Sequence, residues 1–103
     1  MKKIDNKEKI SNIYFTRSIC PFCPLGEDYY NAEVSVDFDV GDSYPDYIEV
    51  DTAIQELSGK SLTIEQVCEE VFKIMKEFEP RTLSVHVDAK SNKHFPVTVS
   101  KNF

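Results

Sequence analysis

Along residues 32–40 apolar and polar positions alternate without a break. Ala32, Val34, Val36, Phe38 and Val40 fall on one side; Glu33, Ser35, Asp37 and Asp39 fall on the other. Successive side chains of a strand point to opposite faces, so this pattern predicts a strand with one buried face. Gly41-Asp42-Ser43 reads as a turn, and Tyr47-Ile48-Glu49-Val50 as the returning strand. A short helix is expected over residues 52–57, stopped by Ser58-Gly59. The period then changes. Ile64, Val67, Cys68, Val71, Phe72, Met75 and Phe78 recur at helical spacing and predict the main helix over residues 63–78. Thr63 and Gln66 form a capping-box pattern, with Leu62 and Val67 placed for a hydrophobic staple. Pro80 stops this helix because it cannot extend the hydrogen-bond ladder. Two further alternating runs, Leu83 to Ala89 and Phe95 to Val99, predict the closing strands.

The expected order is therefore strand, strand, helix, helix, strand, strand. This is an α+β chain whose four-stranded antiparallel sheet packs its apolar face on two helices. The opposite face would carry Ser35, Asp37, Asp39, Ser84, His86, Asp88, Thr98 and Ser100. These are short polar side chains, with few of the long lysines and glutamates of an open surface. A sheet of this kind also has two edges whose unpaired backbone needs management. Both features suit copies joined edge to edge into a barrel with a polar lumen; the simpler expectation is a monomeric sandwich with a wet sheet face. Residues 1–12 are polar and lysine-rich and read as a flexible leader or a short edge segment, leaving residues 13–103 as a single domain.

Composition narrows the classes. The chain has 103 residues, 41% hydrophobic and 29% charged, which suits one soluble globular domain. No apolar run approaches the roughly 18 residues of a membrane span. No apolar stretch follows Met1-Lys2-Lys3, so no secretory signal is visible and a cytoplasmic location is expected. The net charge of −6 and the scattered lysines disfavour direct nucleic-acid binding, and a neutral or cationic small molecule fits better. The three cysteines, Cys20, Cys23 and Cys68, are too few and odd in number for a disulfide framework.

The chemistry is densest in Cys20-Pro21-Phe22-Cys23-Pro24-Leu25-Gly26-Glu27-Asp28-Tyr29. A thiol on a proline-stiffened loop, with carboxylates a few residues on, suits a nucleophile with a proton-transfer partner. It also suits half a metal site or a redox pair. A redox Cys-x-x-Cys should open a helix, and Pro24 and Gly26 argue against one. Zinc needs about four ligands, and the spacings to Cys68, His86 and His94 match no zinc pattern, so no metal is expected. Cys68 lies on the apolar helical face and reads as core. Glu65 falls at the second position of the main helix, where the unpaired N–H groups favour a carboxylate. It can equally accept a pair of N–H bonds from a ligand. His86 is placed on the polar face and His94 in the last hairpin, where it is the better proton-transfer candidate.

Taken together, the element order and these residues resemble the tunnelling-fold (T-fold) superfamily, which includes dihydroneopterin aldolase, pyruvoyltetrahydropterin synthase, GTP cyclohydrolases and 7-cyano-7-deazaguanine reductase. The resemblance covers roughly residues 18–100 and is greatest to the 7-cyano-7-deazaguanine reductases and their small amidinotransferase-like relatives. Those enzymes carry Cys-Pro, then Thr-Gly, then an Asp-aromatic pair leading into an alternating strand. Here Cys20-Pro21 is followed by Gly26, Asp28-Tyr29 and the strand from Ala32. The His-Glu that opens the family's main helix reads Ile64-Glu65 here, and its Pro-Arg reads Pro80-Arg81. Cys23 stands near the family's Thr.

The resemblance implies an oligomeric barrel with purine- or pterin-like substrates at subunit boundaries. It further implies nitrile capture as a covalent thioimide, in the chemistry of queuosine-type tRNA modification. Cys20 would be the nucleophile, Asp28 the proton shuttle, Glu65 the substrate anchor and His94 a substrate contact. The reductases' Glu-Ser-Lys-Ser-Leu-Lys segment, associated with substrate and NADPH, is replaced here by Glu49-Val50-Asp51-Thr52-Ala53-Ile54, and their Arg-Gly-Gly is absent around His94-Phe95-Pro96. An NADPH-dependent oxidoreductase step is therefore less expected than substrate binding. Two alternatives stand beside this reading. One is a pterin aldolase or epimerase using Glu65 and Lys90; the other is a non-catalytic T-fold protein that binds a purine or pterin.

Overall fold

The computed structural model describes residues 1–103. The elements are β1 (Lys3–Asp5), β2 (Asn12–Ile19), β3 (Phe22–Cys23), β4 (Asp28–Tyr29), β5 (Asn31–Asp39), β6 (Ser43–Pro45), α1 (Tyr47–Gln55), α2 (Ile64–Lys76), β7 (Thr82–Lys90) and β8 (Val97–Asn102). The main sheet is antiparallel throughout, in the order β2-β5-β7-β8. α2 packs on β7 and β8, and α1 on β2.

The order strand, strand, helix, helix, strand, strand holds for the main sheet, but two of its elements differ from expectation. Its first strand is Asn12–Ile19, and Tyr47–Val50 is the first turn of α1, not a returning strand. The cause of the second difference is local. Asp46 adopts extended backbone angles and its Oδ1 accepts the Ile48 N–H at 2.9 Å. That cap satisfies a donor which a starting helix leaves open. With the helix begun at Tyr47, Val50, Ile54 and Leu57 turn to the core while Tyr47 and Ile48 face outward. Within residues 1–12, read as a flexible leader or edge segment, Lys3–Asp5 pairs antiparallel with Ser43–Pro45. Asn6 ties this corner by donating to the carbonyls of Ile10 and Gly41 and accepting from the Ile10 N–H. Gly41 is closely packed: a Cβ there would meet the Glu79 carbonyl oxygen at 3.0 Å, and that backbone would have to give by a few tenths of an ångström.

The sheet's helix-facing side is built in cross-strand rows: Ile13-Phe38-Leu83, Phe15-Val36-Val85 and Ile19-Ala32-Ala89-Val97. Val67, Cys68, Val71 and Met75 of α2 and Val50 and Ile54 of α1 cover them. Each Val, Leu, Ile, Phe or Met among them contributes roughly 1.5–3 kcal/mol when fully buried. The register is thereby specified, since a one-residue slip would exchange Val34, Val36 and Phe38 for Ser35, Asp37 and Asp39. The expected capping box is present: Gln66 N–H donates to Thr63 Oγ1 at 3.2 Å and Thr63 N–H to Gln66 Oε1 at 2.9 Å.

The far side of the sheet is polar, as its alternation predicts. Its rows are Ser18-Glu33-Asp88-Thr98, Thr16-Ser35-His86-Ser100 and Tyr14-Asp37-Ser84-Asn102. Thr98 donates to Asp88, Ser84 to Asn102, and Asn12 to both Asp37 and Asp39. Both edge strands carry a cation on the helix side, each tied to a helical acid. Arg17 of β2 meets Asp51 of α1, with Nη2 donating to Oδ2 at 2.9 Å while Nε, 2.8 Å from Oδ1, is poorly aligned to donate. Lys101 of β8 meets Glu69 of α2 and lies over the Phe72 ring. Inward-pointing charges on edge strands discourage open-ended pairing with apolar strands.

Candidate functional site

The cysteine loop is a miniature hairpin. β3 and β4 pair so that Cys23 stands opposite Asp28 and Phe22 opposite Tyr29. The Glu27 N–H closes the connection on the Cys23 carbonyl at 2.8 Å, with Glu27 itself in the left-handed region at φ 54. The Gly26 N–H points at the Cys23 sulfur, 3.4 Å away. A turn of four residues, Pro24 to Glu27, thus places a thiol and a carboxylate side by side.

This hairpin is strapped to the segment that leads into α2. Phe22 N–H donates to the Lys60 carbonyl and Leu62 N–H to the Phe22 carbonyl, both at 2.9 Å, while Gly59 N–H donates to the Cys20 carbonyl at 3.1 Å. Thr63 then caps α2, so Glu65, the second helical residue, starts beside the hairpin. Tyr30, buried at the head of β5, sends its hydroxyl to the Leu62 carbonyl at 2.7 Å. The connection after β7 supplies Ser91, Lys93 and His94 from the other side.

These pieces enclose a cavity of about 280 Å³ whose lining includes Cys23, Asp28, Tyr30, Glu65, Lys93 and His94. Three of the four expected site residues, Asp28, Glu65 and His94, therefore come together. Cys20, the expected nucleophile, does not line the cavity: its thiol is exposed and its backbone N–H is bonded to Ser58 Oγ. Lys90, the candidate of the aldolase alternative, pairs with Asn31 one residue past Ala89 and is directed to the polar side of the sheet. His86 also lies in the polar rows. Cys68 is buried, with its sulfur 3.7 Å from the Val85 carbonyl oxygen, as expected for a core residue. No three His, Cys, Asp or Glu side chains gather closely enough to hold a metal ion.

The cavity joins a thiol and two carboxylates to one lysine and one histidine. Burial pushes the Tyr30 phenol well above the usual range, with Cys23 and then Glu65 adding to the effect through their negative charge. Glu65 has no ion-pair partner and sits where the unpaired helix N–H groups favour an anion. His94 Nδ1 lies 2.5 Å from the Phe95 carbonyl oxygen. A carbonyl only accepts, so Nδ1 is the donor in this contact. A larger concavity of about 400 Å³ lies at the opposite end of the sheet, lined by Asn6, Lys9, Asp39 and Arg81 among others. It contains no thiol and no histidine.

Sequence reasoning favoured Cys20 and overlooked Tyr30, Ser91 and Lys93 as wall residues. The signal for Cys23 was present: Pro24-Leu25-Gly26-Glu27 is turn-rich, and a four-residue turn puts Cys23 opposite Asp28. Nothing local marks Tyr30 or Lys93, since their position depends on how the hairpin, β5 and the last connection meet.

No protein-family model and no curated protein sequence matches the chain. Solved structures do. One is the archaeosine synthase QueF-Like in the apo form, with a TM-score of 0.81 and 17% identity, covering 90% of this chain and 93% of that one. Another is a putative dihydroneopterin aldolase (FolB) from Vibrio cholerae O1 biovar El Tor, with a TM-score of 0.69 and 16% identity, covering 91% of this chain and 97% of that one. Identities this low establish architecture alone, and the architecture agrees over nearly the whole of each chain: this protein is an α+β chain with the tunnelling fold that these two structures share.

Proposed function

We propose that this protein is an enzyme that captures the nitrile carbon of a 7-deazaguanine-type heterocycle, 7-cyano-7-deazaguanine or a close analogue, as a covalent thioimide. The observation that carries the proposal is the convergence of Cys23, Asp28 and Glu65 on one cavity. The thiol role passes from Cys20 to Cys23, because only Cys23 lines that cavity with Asp28 opposite it. The Cys23 proton moves to the Asp28 carboxylate, and the thiolate attacks the nitrile carbon. A C–S bond forms as one π bond of the nitrile breaks, and Asp28 returns the proton to the nitrile nitrogen. The product is a neutral thioimide, with atoms and electrons balanced. Glu65 accepts the paired N–H donors of the heterocycle, and Nε2 of a neutral His94 accepts a further one.

NADPH does not fit residues 49–54. They lie in α1, with Val50 and Ile54 buried, Asp51 paired with Arg17, and no basic side chain among them to meet a phosphate. We derive no reduction step. Copies of the chain would join through the open edges of β2 and β8, burying apolar side chains near the cavity mouth. Leu25, on the cavity wall, is 84% exposed in the single chain, which supports a covered mouth in an assembly.

Intact-protein mass spectrometry after incubation with 7-cyano-7-deazaguanine tests the reading. The expected result is an adduct of the ligand's mass on wild type and Cys20→Ser, absent on Cys23→Ser. Loss in Cys20→Ser alone would return the thiol role to Cys20, and no adduct on wild type would remove nitrile capture.

A further inference from the structure

We infer that Tyr30 is a positioning residue that aligns the Cys23 thiol with the Glu65 anchor through a hydroxyl-to-carbonyl bond. Its catalytic meaning rests on the nitrile-capture reading above. Cys23 and Glu65 sit on separate elements, a two-residue strand and a helix start, and no direct bond joins their side chains. What holds them in register is the Leu62 residue between them. Its N–H donates to Phe22, the neighbour of Cys23, at 2.9 Å. Its carbonyl accepts from the Tyr30 hydroxyl at 2.7 Å. Leu62 directly precedes Thr63, the cap of α2.

Tyr30 closes the same circuit from the sheet. Its N–H donates to the Pro21 carbonyl at 3.1 Å, so one residue grips the cysteine loop with its backbone and the helix start with its side chain. Tyr30 is 5% exposed and lines the same cavity as the two groups it aligns. It also feels the charges of both Cys23 and Glu65. A hydroxyl already committed to Leu62 is not a free proton donor, so its role is to fix geometry. Misplacing a reacting pair by about 1 Å can cost on the order of a hundredfold in rate, so a modest loosening is readable.

Tyr30→Phe keeps the ring and removes only the bond. It is compared with the parent in a Cys20→Ser background, where iodoacetamide reports on Cys23. Amide hydrogen exchange at Leu62 and Phe22 should accelerate about tenfold, the effect of stranding one part-buried acceptor. The rate of nitrile capture from 7-cyano-7-deazaguanine should fall about tenfold or more. Alkylation by iodoacetamide, which needs no anchor, should stay within about twofold. Capture and alkylation falling together, or neither changing, would overturn the alignment role. If wild type captures no nitrile, the functional reading fails and exchange alone decides. Acceleration confined to Leu62 and Phe22 then supports Tyr30 as the clasp of the two elements, and unchanged exchange overturns it.

Discussion

Thr63 stands where fold stability and the anchor meet, and replacing it with alanine isolates one bond. Its Oγ1 accepts the Gln66 N–H, while the reciprocal bond from its own N–H to Gln66 Oε1 uses backbone and survives. Thr63→Ala therefore removes one half of the capping box. Losing a threonine cap costs about 1 kcal/mol, within a range of about 0.5–2. Unfolding entropy near the midpoint is about 2.1 cal/mol/K per residue, so for 103 residues it is about 0.22 kcal/mol/K. The expected fall in Tm is about 5 °C, read by thermal denaturation followed by circular dichroism at fixed protein concentration. Thr63→Ser keeps the acceptor and should recover most of the loss. A fall below about 1 °C in Thr63→Ala, or an equal fall in Thr63→Ser, would refute the capping argument and with it the idea that this box anchors the start of α2.

Two further outcomes follow from the titrating groups. Burial, and then the Glu69 charge, push the Cys68 thiol up, so native protein should react with iodoacetamide at Cys20 and Cys23 while Cys68 reacts only after denaturation. Peptide mapping that finds Cys68 labelled as fast as the others would show that the helix–sheet contact opens. The hydrogen bond from Lys101 holds the Glu69 carboxyl below its ordinary value of 4.5, with burial opposing and the Lys101 and Lys73 charges assisting. A depressed folded value means stabilisation present above the unfolded pKa and lost as pH falls through the folded one. Glu69→Gln should thus lower the unfolding midpoint at neutral pH and converge with wild type in strong acid, with a smaller difference in high salt. An unchanged gap between the two proteins at acid pH would sink that assignment.

The legible parts of the chain share one property: their pattern is set by neighbours a few residues away. The alternation of residues 32–40 and 83–89 and the periodic run from Ile64 marked two strands and a helix that the structure contains, with residue boundaries shifted by one or two. The last strand shifted further, to Val97–Asn102. Thr63 and Gln66 announced their own cap. β2 was hidden because its inward alternation, Ile13, Phe15 and Ile19, is broken by Arg17, a residue that reads as outward until Asp51 is seen opposite it. Tyr47–Val50 alternates as a strand does, and only the Asp46 cap decides for helix.

The site divides along the same line. Asp28, Glu65 and His94 could be singled out because each sits at a recognisable local feature: a turn before a strand, a helix start, a hairpin. Cys23 was within local reach as well, opposite Asp28 across a turn-rich segment, whereas the inclusion of Tyr30 and Lys93 and the exclusion of Lys90 required the tertiary structure. The amino-acid sequence by itself determined the α+β class, the polar sheet face and the helix that carries Glu65, because periodicity and capping are short-range physics. Only the tertiary structure decided that the cysteine hairpin shares a cavity with the start of α2. Three hydrogen bonds join the Cys20 and Phe22 backbone to residues 59–62, nearly 40 positions away, and no local pattern encodes a contact between segments so far apart.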